Sequence, residues 1–143
     1  MRFAFGSAVR ERIEVEVRGF ERVPTGEFWD DNWLKVDLRV WAGAFQGTTS
    51  ASIVTIELTK FLAGLRQLWE TLGGSAAFST LEQQLKLRLD GDGRGHITLS
   101  GEVSDQPRGG NRLHFTLGLD PSQLISAIRE LEAITSKYPV RKG

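Results

Sequence analysis

Residues 12–20, Arg-Ile-Glu-Val-Glu-Val-Arg-Gly-Phe, set Ile13, Val15 and Val17 against Glu14, Glu16 and Arg18 in strict alternation. A period of two belongs to a β-strand with one dry and one wet face, and it rules out a helix at this place. The same pattern returns along the chain. Leu34, Val36, Leu38 and Val40 alternate with Lys35, Asp37 and Arg39, and Leu85, Leu87 and Leu89 alternate with Lys86, Arg88 and Asp90. Ile97, Leu99 and Val103, then Leu113, Phe115, Leu117 and Leu119, continue it. Gly19 shifts the first run by one residue, as a bulge does, and Pro24 closes it in a polar loop. The Thr- and Ser-rich segment from Gln46 to Val54 reads as a further strand, whereas the short stretch around Phe78 is expected to pair weakly or not at all.

Two segments change period. Leu58, Phe61, Leu62, Leu65, Leu68, Trp69 and Leu72 form a helical stripe, with Thr55 or Thr59 as N-cap and Gly73-Gly74 as the stop. The second helix has a full set of start signals. Asp120 stands at the N-cap, Pro121 at N1 and Gln123 at N3, with Leu119 and Leu124 as a hydrophobic staple. Ile125, Ile128, Leu131 and Ile134 then face inward until Pro139.

The order is βββ-α-βββ-α. This predicts one α+β domain over residues 1–143: an antiparallel sheet of about six strands with two helices packed on one face. The opposite, wet face would carry Glu14, Glu16, Arg18, Lys35, Asp37, Arg39, Lys86 and Arg88. No internal sequence repeat accompanies the repeated order of elements.

Eighteen basic side chains balance eighteen acidic ones, which removes the field that non-specific nucleic-acid binding needs. The absence of cysteine excludes disulfides, thiolate metal sites and cysteine nucleophiles, and fits a cytoplasmic protein. Charges appear early at the N-terminus, and no apolar run approaches the roughly 18 residues of a spanning helix, so neither a signal peptide nor a membrane anchor is expected.

Catalytic signatures are weak throughout. Asp90, Asp92 and Gly95 imitate the start of a calcium loop, but Arg94 and Gly101 stand where ligands are required, so the segment reads as a hairpin turn. His96 and His114 are the two histidines; the expected strand register places Ser100-Gly101 opposite His114, which makes neither a zinc site nor a triad. Asp30-Asp31 and Glu14/Glu16 are acid pairs without a partner that would split their roles. No catalytic residue, metal or cofactor is assigned.

The segment "EFWDDNWLKVDLRVWAGAF" holds three of the four tryptophans. Trp33 and Trp41 share the parity of the charged face, and aromatic side chains beside charges are enriched at protein interfaces. Trp29, Asp31, Trp33, Arg39 and Trp41 are therefore the candidate partner-binding residues. The alternative is that the indoles cap the end of the sheet beneath the loop.

"FWDDNWLKVDLRVWAGAFQG", "GDGRGHITLSGEVSDQP", "GGNRLHFTLGLD" and the closing "YPVRKG" resemble the WapI-type immunity proteins, and the likeness spans nearly the whole chain. At the start of the last helix this sequence has "DPSQL" where the family pattern leads one to expect "DQT-L". The resemblance implies a non-enzymatic cytoplasmic protein that binds a cognate toxin domain and blocks it. The expected partner is a protein, with no nucleic acid or membrane, and the protomer is a monomer or a homodimer. Two other readings stay open: a ligand-binding or enzymatic domain with a pocket between sheet and helices, and a homodimeric structural module.

Overall fold

The computed structural model describes residues 1–7 and 9–142, so Gly143 of the "YPVRKG" motif lies outside the described residues. It contains eight strands in two antiparallel sheets, where the alternation led to one sheet of about six. The first sheet joins β1 (Arg2–Gly6), β2 (Glu11–Phe20), β3 (Trp33–Ala42) and β4 (Phe45–Val54) in that order. A short helix, α1 (Phe28–Asp31), lies between β2 and β3. Helix α2 (Thr55–Thr71) follows β4 directly. The second sheet joins β5 (Gly73–Ser79), β6 (Leu85–Asp92), β7 (Ile97–Gln106) and β8 (Gly109–Leu119), and α3 (Pro121–Lys137) follows β8.

The chain is thus two four-strand blocks, each ending in a helix, and each helix packs beside the first strand of the other block. Helix α2 adjoins β5, α3 adjoins β1, and the two helices meet. This replaces the expected pair of helices laid on one face of a single sheet. Alternation fixes which side of a strand is dry, but it does not choose the strand's neighbours.

Both inner sheet faces and both helical stripes close on one core. Phe3 and Phe5 of β1, Phe61 of α2 and Phe78 of β5 are all buried, and their rings meet at centroid distances of 4.9–6.4 Å. Leu58, Leu65, Leu124, Leu131 and Ile134 complete the helical share. Trp69, assigned to the apolar stripe by spacing, lies at its exposed margin, and Ile125 is half-buried.

The two strands missed by the alternation have simple reasons. β1 is five residues long, and its edge is sealed where the Ala4 amide donates to the Glu130 carboxylate of α3 at 3.1 Å. β5 is built from Gly, Ser and Ala, which give little strand signal; Ala76 and Phe78 hold it against the core.

Helix boundaries also follow local chemistry. At α2 the N-cap is Val54, whose amide donates to the Glu57 carboxylate at 2.7 Å. The Thr55 hydroxyl is occupied elsewhere, on Asn32. The helix ends at Leu72 in the left-handed region (φ 56°), before the expected glycines. A Cβ on Gly91 would lie 2.2 Å from the Leu72 carbonyl oxygen, so only glycine fits beside this turn. At α3 the expected capping box is present: the Asp120 carboxylate accepts from the Gln123 amide, and Gln123 returns the bond to the Asp120 amide, both at 3.0 Å.

Candidate functional site

Because β1 to β4 are in register, the outward positions of the first sheet form rows across the strands. One row is Gly6, Arg12, Trp41 and Gln46; the next is Ala4, Glu14, Arg39 and Thr48; the third is Arg2, Glu16, Asp37 and Ser50. Lys86 and Arg88, expected on the same wet face, are outward residues of the second sheet instead.

Glu14 is the centre of the first sheet's outer face. Its side chain is only 5% exposed although it stands on the polar side. Three guanidinium groups enclose it: Arg12 at 3.0 Å and Arg2 at 3.5 Å on Oε1, and Arg39 at 3.3 Å on Oε2. A buried carboxylate needs such partners, because an unpaired charge removed from water is costly. A row below, Arg18 pairs with Asp37 at 2.5 Å, and the Ser50 hydroxyl donates to Asp37 at 3.2 Å. These bonds, the Arg18 bond first, hold the Asp37 carboxyl below its ordinary value.

The predicted partner-binding residues fall into three places. Trp33, Arg39 and Trp41 project from the outer face along β3, where Arg39 belongs to the Glu14 cage and Trp41 is the cross-strand neighbour of Arg12. Trp33 and Trp41 are half-buried and eight residues apart, about 26 Å along a strand. Trp29, 57% exposed, stands on α1 and lines a different groove of about 310 Å³ with Ile56, Lys60, Phe61, Phe78 and Leu81. Asp31 is buried and closes the loop before α1, accepting from the Thr25 hydroxyl and amide at 2.7 Å and from the Gly26 amide at 2.9 Å. Those bonds, with the Thr25 hydroxyl foremost, depress its carboxyl.

Asn32 is a residue that sequence reasoning missed. Fully buried between α1 and β3, it uses both ends of its amide. Oδ1 accepts from the Thr55 hydroxyl and the Arg141 amide, each at 2.7 Å, and Nδ2 donates to the carbonyls of Phe28 at 2.7 Å and Arg141 at 2.8 Å. The C-terminal segment is also held by the Arg141 guanidinium, 3.4 Å above the Phe20 ring, and by Tyr138 edge-on to that ring. No local sequence pattern announces such a hub; the nearest signal was the "YPVRKG" motif itself.

The other candidates for chemistry take structural roles. The Asp92 carboxylate accepts from the Arg94 amide at 2.7 Å, the His96 amide at 3.2 Å and the His96 ring at 3.1 Å, which makes the Gly-rich segment a self-contained turn. His114 stands opposite Glu102, one residue beyond the expected register, and Glu102 bonds chiefly to Arg112. The second sheet meets the first at a cleft of about 330 Å³ bordered by Phe45, Thr49, Asp105 and Arg112, and nearby the Gln84 amide bridges the carbonyls of Ser50 and Ser104. The charges of Asp105 and Arg112 are turned onto Asn111 and Glu102. Among the described residues no helix is long and apolar enough to cross a membrane.

Asp31, Asp37, Asp92, Glu102, Asp105 and Asp120 all titrate below their ordinary values in the fold, and Glu57 above, because burial disfavours its charge. For the six, the folded state binds fewer protons than the unfolded chain; the stability they add is complete above the unfolded values near 4 and disappears as pH falls through the folded ones. Glu57 acts oppositely, gaining stability as pH falls through its raised value. Six against one, the urea midpoint is expected to decline steadily below about pH 4. A midpoint constant down to pH 3 would contradict these bonds.

No curated protein matches the chain. A solved structure of MRP1/MRP2 from Trypanosoma bruciei superposes on it with a TM-score of 0.49 at 12% identity, covering 97% of this chain and 85% of that one. A family model spans both blocks. That model, described as the Immunity protein WapI-like family, matches residues 4–139, from inside β1 to beyond the end of α3, and the chain accordingly belongs to this family.

Proposed function

We propose that the protein is an immunity protein that binds a cognate toxin domain in the cytoplasm and neutralises it by covering its surface, without chemistry of its own. The family match over residues 4–139 carries this reading. The outer face of the first sheet supports it, because its arginines and half-buried indoles are the side chains that anchor protein interfaces. Arg39, Trp41 and Trp33 would supply direct contacts from this face. Trp29 would extend the contact beyond the strand end, and Asp31 would hold the loop that carries it.

The test is protection. The chain is co-expressed with each candidate toxin domain found in the genes adjoining its own, and growth is scored against an empty vector. Restored growth is expected for the wild type, and its loss for the combined Trp33→Ala, Arg39→Ala and Trp41→Ala variant with an unchanged circular dichroism spectrum. Wild-type chain that gives no protection would refute the immunity reading; full protection by the triple variant would refute the chosen face.

A further inference from the structure

We infer that the Glu14 cage is a preorganised docking site for an acidic protein surface; on the immunity reading above, that surface belongs to the toxin domain. Among the described residues, Glu14 is the only carboxylate ion-paired with Arg2, Arg12 or Arg39. Three guanidinium groups share this one carboxylate, while the N-terminal amine pairs with Glu16 and Arg18 and Ser50 bond Asp37, on which Arg39 also acts, so the local balance stays positive. The surplus is concentrated in a single cluster.

Geometry turns that surplus outward. Glu14 lies beneath the cage with its side chain 5% exposed, whereas Arg2 and Arg39 are 55% and 36% exposed. Each guanidinium carries five N–H donors, far more than one carboxylate can accept from three of them, so several donors remain for an incoming anion. The buried carboxylate also fixes where the three groups sit, which lowers the side-chain entropy lost when a partner binds. On the β1 side Ala4 and Gly6 share a groove with Arg12 that α3 borders through Ser126 and Glu130, and on the other side Trp41 offers a rigid apolar contact beside Arg12.

The shape and charge of the patch favour clustered Asp and Glu carboxylates over a nucleic-acid backbone. Carboxylates pair with arginine in bidentate fashion and fit a compact triad. A nucleic-acid strand calls for a longer basic track and a net positive field, and this chain has a formal charge of zero.

The experiment titrates isotope-labelled full chain with a deca-glutamate peptide and, separately, with a ten-nucleotide oligothymidylate, following the Trp41 indole and the Ala4 and Thr48 amides. Saturable shifts with the peptide are expected at low salt, weakening as salt is raised. Arg39→Glu should weaken the peptide, and the toxin domain, by at least about tenfold. Arg2→Gln, whose side chain is 55% exposed at the start of β1, gives the same readout if the charge reversal does not fold. Peptide shifts that miss this face, equal affinity in the folded variant, or tighter binding of the oligonucleotide would overturn the proposal. Wild type without protective activity refutes the immunity reading while the peptide titration still decides the site. Undiminished toxin binding by Arg39→Glu refutes the site and leaves immunity standing.

Discussion

Phe61→Ala is expected to destabilise the fold by about 3–5 kcal/mol, a large share of the roughly 5–15 kcal/mol that holds an ordinary domain folded. Phe61 projects from α2 to Phe3 and Phe5 of the first sheet and to Phe78 of the second, with ring centroids 6.4, 6.0 and 4.9 Å away. Deleting the ring opens a cavity against two sheets that are fixed by their own hydrogen bonds and cannot collapse into it. Phe61→Leu retains much of the volume and should cost less than half as much. Chemical denaturation of both variants checks this, and a loss below about 1 kcal/mol for the alanine would show that the sheets do not share one rigid core.

The legible parts of this fold were those written in nearest-neighbour chemistry. β2 and β3 announce themselves by alternation, and the start of α3 by a cap, a proline and a glutamine three residues on. β1 and β5 were obscured because one is very short and the other is made of small residues that become a strand only beside β6. The division into two sheets depends on which edges the helices seal, a tertiary choice that leaves no trace in periodicity. The site divides in the same way. Parity placed Trp33, Arg39 and Trp41 outward, but the Glu14 cage needed the register of three strands, including the unseen β1 that supplies Arg2. Asp31 and Asn32 are the last residue and the C-cap of the short α1, and only the paths of residues 25–26 and 141 reveal what they hold.

Asn32→Ala is expected to cost about 2–4 kcal/mol, although it removes only a small polar side chain. The substitution leaves the buried Thr55 hydroxyl, and the Phe28 carbonyl and both backbone groups of Arg141 in a half-buried place, without their partner. Each orphaned group carries a desolvation penalty, and the side chain that joined α1, α2 and the C-terminal segment is gone. Asn32→Asp separates shape from chemistry. It keeps the size and the accepting oxygen but turns a second oxygen toward the Phe28 and Arg141 carbonyls, so it should be about as damaging near neutral pH. Acid should relieve part of that damage, because a protonated carboxyl regains one donor, and this runs opposite to the acid loss expected of the wild type. Arg141→Ala keeps the backbone bonds to Asn32 and loses the guanidinium contacts with Phe20 and the Arg22 carbonyl and a minor attraction to Asp31, so it should cost less than either. Urea midpoints for the three variants at pH 7 and pH 4 give the ordering; an alanine variant no weaker than Arg141→Ala would remove Asn32 from its place as the joint on which the Trp29 loop and the chain's last residues are hung.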